Sequence, residues 1–119
     1  DDPTTRHILG NGATVVALEY SSKRTAINVG KPSQELFDLI DEETTQQEGT
    51  KGILGNPSRC LFVGDRLDTD IRFGKDNGMK SVLVMTGVTD AQSMEKLAGG
   101  TEDEPLPDFI VPFVGMLAE

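Results

Sequence analysis

Apolar positions along this chain fall into two kinds of run: residues spaced three and four apart, and short unbroken stretches. From Gly12 to Ser22, the residues Ala13, Val16, Ala17 and Tyr20 share one helical face, so a helix is predicted there. Lys23 and Arg24 close it with positive charge at the carbonyl end. Thr25 to Val29 reads as a short strand that runs into Gly30-Lys31-Pro32-Ser33. Ser33 is placed to cap a second helix, which carries Leu36, Phe37 and Ile40 on one side. Glu42 to Gly55 is polar and interrupted by glycine, which predicts a solvated loop.

The second half repeats the alternation more sharply. Cys60 to Val63 is an unbroken apolar stretch, a short strand expected to be buried, ending at Gly64-Asp65. Leu67 to Asn77 reads as a helix, with Gly78 as its left-handed terminator. Ser81 to Met85 is a third strand, apolar enough to be covered on both faces. Thr89 and Gln92 form a capping box ahead of a helix with Met94 and Leu97 inside it. Gly99 to Pro107 is an acidic, proline-bearing loop; Phe109 to Val111 is a last strand and Phe113 to Ala118 a closing helical turn. Strand and helix in this order build right-handed crossovers and a parallel sheet, so the fold class is α/β.

Composition narrows the function classes. The 119 residues are enough for one domain or part of one, and 20 acidic against 11 basic side chains give a net charge of −9. That balance argues against nucleic acid or an anionic membrane as a partner. An anionic substrate would need local help from a metal or a lysine. The lone Cys60 sits in an apolar strand and reads as a small hydrophobe, so no disulfide can form within the chain. No apolar run approaches the ~20 residues of a membrane span, and the opening residues lack the parts of a signal peptide. A soluble, reducing, cytoplasmic setting is expected.

The chemistry concentrates where the strands end. Asp65 follows directly on a strand and a glycine, with Asp68 and Asp70 close behind. Ligands of an open parallel sheet bind at the carboxyl ends of its strands, and a glycine there leaves room for a close approach. Carboxylates at such a place suit Mg²⁺, a hard cation that keeps several waters and commonly accompanies phosphate. The bland alternative for Asp68 and Asp70 is capping of the helix that starts beside them. Lys31, alone, is a lysine after a strand.

Three separated motifs, VGKPS at Val29 to Ser33, VGDRLDTDIRFGKDNGM at Val63 to Met79 and VLVMTGVT at Val82 to Thr89, appear in the order found in the back half of a haloacid dehalogenase (HAD) superfamily phosphatase. The chain resembles the p-nitrophenylphosphatase, phosphoglycolate phosphatase and pyridoxal phosphatase branch, from about Gly10 onward. The resemblance implies a three-layer, Rossmann-like core, with residues 1–24 as the end of a cap domain (its last helix) and 25–119 as the C-terminal half of the core. It also implies roles: Lys31 is the catalytic lysine that holds a nucleophilic aspartate and the phosphoryl group together, and Asp65 is a direct Mg²⁺ ligand. Asp70 is the second acid of the metal site, orienting a metal-bound water or Lys31. Asp68 remains a surface or capping acid, and Arg66 a solvated or paired arginine.

The departure from this family is as informative as the match. Such phosphatases open with an apolar strand ending in DxD, whose first aspartate attacks phosphorus and whose second is the general acid and base; no such strand is found here. The expectation is therefore a Mg²⁺-dependent phosphomonoesterase, acting through a phosphoaspartate on a small phosphorylated metabolite, of which these residues are a C-terminal part, inactive alone. Its partner would be the missing front half; a strand edge left open could instead pair with a second copy, giving a homodimer. The alternative is a non-catalytic metal- or partner-binding module on the same fold. A receiver-like signalling domain fits less well, because there the acids precede the lysine. Lone His7 gives no support to histidine chemistry.

Overall fold

The computed structural model describes residues 10–48, 55–90, 94 and 105–118. Its centre is a parallel three-stranded sheet in the order β1 (Leu61–Gly64), β2 (Lys80–Val84), β3 (Phe109–Val111). Leu61 pairs with Lys80 and Gly64 with Leu83, so β1 and β2 end side by side. Val82 to Val84 pair with Phe109 to Val111. The α/β class and the parallel sheet are as the alternation of patterns implied.

Burial is concentrated on β2, whose Ser81 to Val84 are all covered, and on the segment that crosses back over it. Leu67, Ile71 and Leu83 form the innermost cluster, with Met85 and Met94 against it. Phe73, 1% exposed, meets the Phe62 ring edge-on at 5.0 Å and the Phe37 ring at 6.4 Å. Those rings fix the helix α2 (Gln34–Glu48) to the sheet. β1 is less buried than expected: it is an edge strand among the described residues, and Leu61 is 48% exposed.

Three expectations are corrected. Thr25 to Val29 forms no strand; it has no ladder neighbour among the described residues, and Ile27 and Val29 lie open to solvent. Glu42 to Glu48 is not loop but the end of α2. Its Glu and Gln residues favour helix, Thr44 and Thr45 bond back to the carbonyls of Ile40 and Asp41, and Gln46 reaches Glu42 one turn earlier. Of the rest of that expected loop, 49–54 lie outside the described residues and only Gly55 is described. In α1 (Asn11–Ser22) the half-buried side is Val15 and Glu19, not the Val16 and Tyr20 face, because Glu19 accepts the Ala26 N–H at 2.7 Å and draws the following segment onto that side.

Other local signals behave as their chemistry dictates. Ser33 Oγ accepts the Leu36 N–H at the start of α2, at 3.4 Å. The helix after β1 opens with one wide π-type turn, Leu67–Ile71, before α3 (Arg72–Asp76). Gly78, at φ +71°, closes it: the Met79 N–H reaches the Gly74 carbonyl and the Gly78 N–H that of Lys75. Beyond Asp90 only Met94 of the Thr89 capping-box helix is described, its N–H on the Asp90 carbonyl; Gln92 and Leu97 lie outside the described residues, as do His7 and the acidic 102–104. No helix among the described residues is long and apolar enough to cross a membrane.

Candidate active site at the end of β1

The turn after β1 is built around one side chain. Gly64 ends the strand; a Cβ there would overlap the Asp70 side chain, so only glycine lets Asp70 fold back beneath it. The wide turn brings Asp70 there, with the Arg66 carbonyl accepting both the Asp70 and Ile71 N–H groups at 3.0 Å. Asp70 Oδ2 then accepts the N–H of Asp65 at 3.0 Å and of Arg66 at 3.1 Å. The side chain is 4% exposed, and its other oxygen, Oδ1, lies 2.7 Å from Lys31 Nζ. That contact is an ion pair whose angles fall short of a hydrogen bond. Lys31 arrives from the turn between Gly30 and Ser33, with its ammonium also near the Phe62 ring.

Asp65 sits one residue past the strand and is held at three points. Its N–H goes to Asp70, its carbonyl accepts the Thr89 N–H at 3.1 Å, and its Oδ2 accepts the Val88 N–H at 2.8 Å. A Cβ on Gly87 would overlap the Asp65 carboxylate. Asp65 Oδ1 accepts no hydrogen bond among the described residues. Lys31, Asp65, Arg66, Thr69 and Asp70, together with Asn11 and Gly12 of α1, line an open cleft of about 620 Å³. Arg66 turns to Asp68 instead, two bonds of 2.7 and 3.0 Å. The hydrogen bond and charge of Asp68 raise the Arg66 pKa, and those of Arg66 lower that of Asp68.

The donor set suits a hard cation. Among the described residues no three His, Cys, Asp or Glu side chains gather at one point. Mg²⁺ does not require that, since it commonly binds through one or two carboxylates and keeps waters. Asp65 and Asp70 both line the cleft; the oxygen left over for an ion is Asp65 Oδ1, since the buried Asp70 Oδ1 lies against the Lys31 ammonium.

The HAD-hydrolase-like family model matches residues 28–115, most of the chain. This chain belongs to that family. It is 37% identical over 115 residues to the glycerol-3-phosphate phosphatase of Homo sapiens, covering 94% of this chain and 33% of the relative. With chronophin from Rattus norvegicus it is 36% identical over 110 residues, 92% of this chain and 33% of the relative. Among solved structures, the 4-nitrophenylphosphatase of Thermotoga maritima superposes with a TM-score of 0.63 at 34% identity, over 90% of this chain and 36% of that one. The p-nitrophenyl phosphatase of Archaeoglobus fulgidus gives 0.62 at 28% identity, over 89% of this chain and 37% of that one. The chain therefore falls in the p-nitrophenylphosphatase branch, and it spans about a third of the length of the curated relatives it matches.

Within this HAD-like core the structure brings Lys31, Asp65 and Asp70 together from segments far apart in sequence and leaves Asp68 outside with Arg66. Sequence reading held Gly87 and Val88 within the third motif but gave neither a role. The signal was present, a glycine just past the end of a buried strand, but nothing along the chain says which carboxylate would lie against it.

Proposed function

We propose that these residues form the cation and lysine half of a Mg²⁺-dependent phosphomonoesterase, with the attacking carboxylate supplied by a part of the protein outside these 119 residues. The observation that carries the reading is the Lys31–Asp70 ion pair of 2.7 Å lying in one cleft with Asp65. Phosphatase names among relatives of the same branch support the reaction class.

Each residue then has a task. Asp65 would hold the cation through Oδ1, and Asp70 would hold Lys31 and the turn rather than the ion, since its Oδ2 already receives two N–H groups and its Oδ1 the ammonium. Lys31, still 44% exposed, keeps its ammonium open to the cleft and would offset the repulsion between a nucleophilic carboxylate and a phosphoryl group. When bound, Mg²⁺ supplies further charge to the phosphoryl oxygens and fixes their orientation. The aspartate attacks phosphorus, the alcohol leaves, and water hydrolyses the phosphoaspartate. A small phosphorylated metabolite is the substrate class that fits.

The test is the complete protein assayed with p-nitrophenyl phosphate against Mg²⁺ concentration, beside Asp65→Asn. Turnover that rises with Mg²⁺, together with a much higher Mg²⁺ requirement in Asp65→Asn, is expected because an amide replaces an anionic ligand. An activation curve unmoved by Asp65→Asn removes the metal assignment. Absence of turnover with any divalent ion favours the non-catalytic binding module.

A further inference from the structure

Asp65 must present one oxygen to a cation with strict octahedral demands, and a carboxylate on the first residue after a strand is free to rotate unless something holds it. The holding element lies on the neighbouring strand. Because β1 and β2 are parallel and in register, with Gly64 opposite Leu83, the loop leaving β2 passes beside the loop leaving β1. Three of its residues touch Asp65. The Val88 N–H takes Oδ2, the Thr89 N–H takes the main-chain carbonyl, and Gly87 lies flat against the carboxylate.

Two details separate this from an ordinary turn. Gly87 has no positive φ, unlike Gly78, so backbone conformation does not call for glycine there; the space taken by Asp65 does. The Val88 side chain is 66% exposed, so that residue bears on the site through its main-chain N–H, while Thr89, 6% exposed, anchors the end of the loop.

We propose that the loop Gly87 to Thr89 is the positioning element of the metal carboxylate: the Val88 N–H fixes Oδ2 and so selects Oδ1 for the cation, and Gly87, having no Cβ, lets the loop lie close enough to the Asp65 side chain for that bond to form. The inference rests on the metal reading of Asp65 given above. Groups that orient a metal ligand commonly change metal affinity about 10–100-fold when removed, with less effect once the metal is saturating.

The experiment is Gly87→Ala in the complete protein. Mg²⁺ binding is measured by calorimetry without substrate, and Mg²⁺ activation of p-nitrophenyl phosphate hydrolysis is measured alongside, with thermal melting to report the fold. A folded variant whose Mg²⁺ affinity falls on the order of tenfold or more, with turnover recovered at high Mg²⁺, is the expected result. A variant that does not fold is replaced by Val88→Pro, which removes the N–H and adds no Cβ at 87, and is read the same way. Unchanged Mg²⁺ affinity in the folded variant, beside a wild type that binds Mg²⁺, overturns the positioning role alone. A wild type that takes up no Mg²⁺ overturns the metal reading of Asp65 and this inference together.

Discussion

Lys31 Nζ stands 2.7 Å from Asp70 Oδ1, and the two side chains differ sharply in exposure, 44% against 4%. The buried partner is anchored by two main-chain N–H groups, so it is the lysine that is positioned and the aspartate that positions. A flexible four-carbon stem is thereby held at one point of the cleft while its ammonium keeps an open side.

Lys31→Met keeps much of the side-chain volume and removes the charge. In the complete protein kcat with p-nitrophenyl phosphate should fall by on the order of 10² or more, as when one electrostatic contact to a transition state is lost. Near-normal kcat would reduce Lys31 to an ion-pair partner of Asp70.

Gly64→Ala puts a methyl group where the Asp70 side chain already lies. Chemical denaturation should show a loss of roughly 1–3 kcal/mol, the usual effect of forcing extra volume into a packed place. Since Asp70 must move, Lys31 should lose its anchor and turnover should fall more than the stability loss alone implies. A variant as stable and active as the parent would mean that the turn after β1 relaxes freely.

Asp108, just before β3, ties that strand to the central strand β2 and to α3. Its Oδ2 accepts the N–H and Oγ of Ser81 at 2.9 and 3.0 Å and lies 3.0 Å from Lys75, while Oδ1 lies 3.3 Å from Lys80. The Ser81 N–H, followed by the Lys75 contact, holds the Asp108 carboxyl far below the ordinary carboxylate range. A carboxyl depressed on folding contributes stability above its unfolded pKa of roughly 4 and loses it as pH falls toward the folded value. Asp108→Asn should therefore destabilise at pH 7, and the gap from wild type should narrow as the pH is lowered below about 4. A gap independent of pH, in urea melts across that range, would assign the effect to hydrogen-bond geometry instead of charge.

The 119-residue chain on its own should hydrolyse no phosphate ester and should associate. Leu61 on one edge strand, with Phe109 and Ile110 on the opposite edge strand β3 and Phe113 after it, are each about half exposed, apolar edges of the kind that invite pairing. Assay of the purified chain with p-nitrophenyl phosphate and Mg²⁺, and a sizing column, check both parts. Mg²⁺-dependent turnover abolished by Asp65→Asn would place a nucleophile within these residues.

Sequence by itself determined the parts that depend on short-range chemistry. The apolar run on β2, the glycine with positive φ that ends α3, the Ser33 cap and the placing of Asp65 at a strand end all follow from residues a few positions apart. Lys31, Asp65 and Asp70 were legible as candidates through the order of their motifs. Only tertiary structure decided what each of them faces. Asp68 and Asp70 are two residues apart with the same chemistry, yet the wide turn sends one out to Arg66 and the other inward to Lys31 and two main-chain N–H groups. Thr25 to Val29 has the composition of a strand but no neighbour to pair with among the described residues, and a strand exists only as one side of a ladder. Gly87 reads along the chain as one more turn glycine; its bearing on Asp65, 22 residues away by subtraction of their numbers, arises because parallel pairing sets two strand ends side by side.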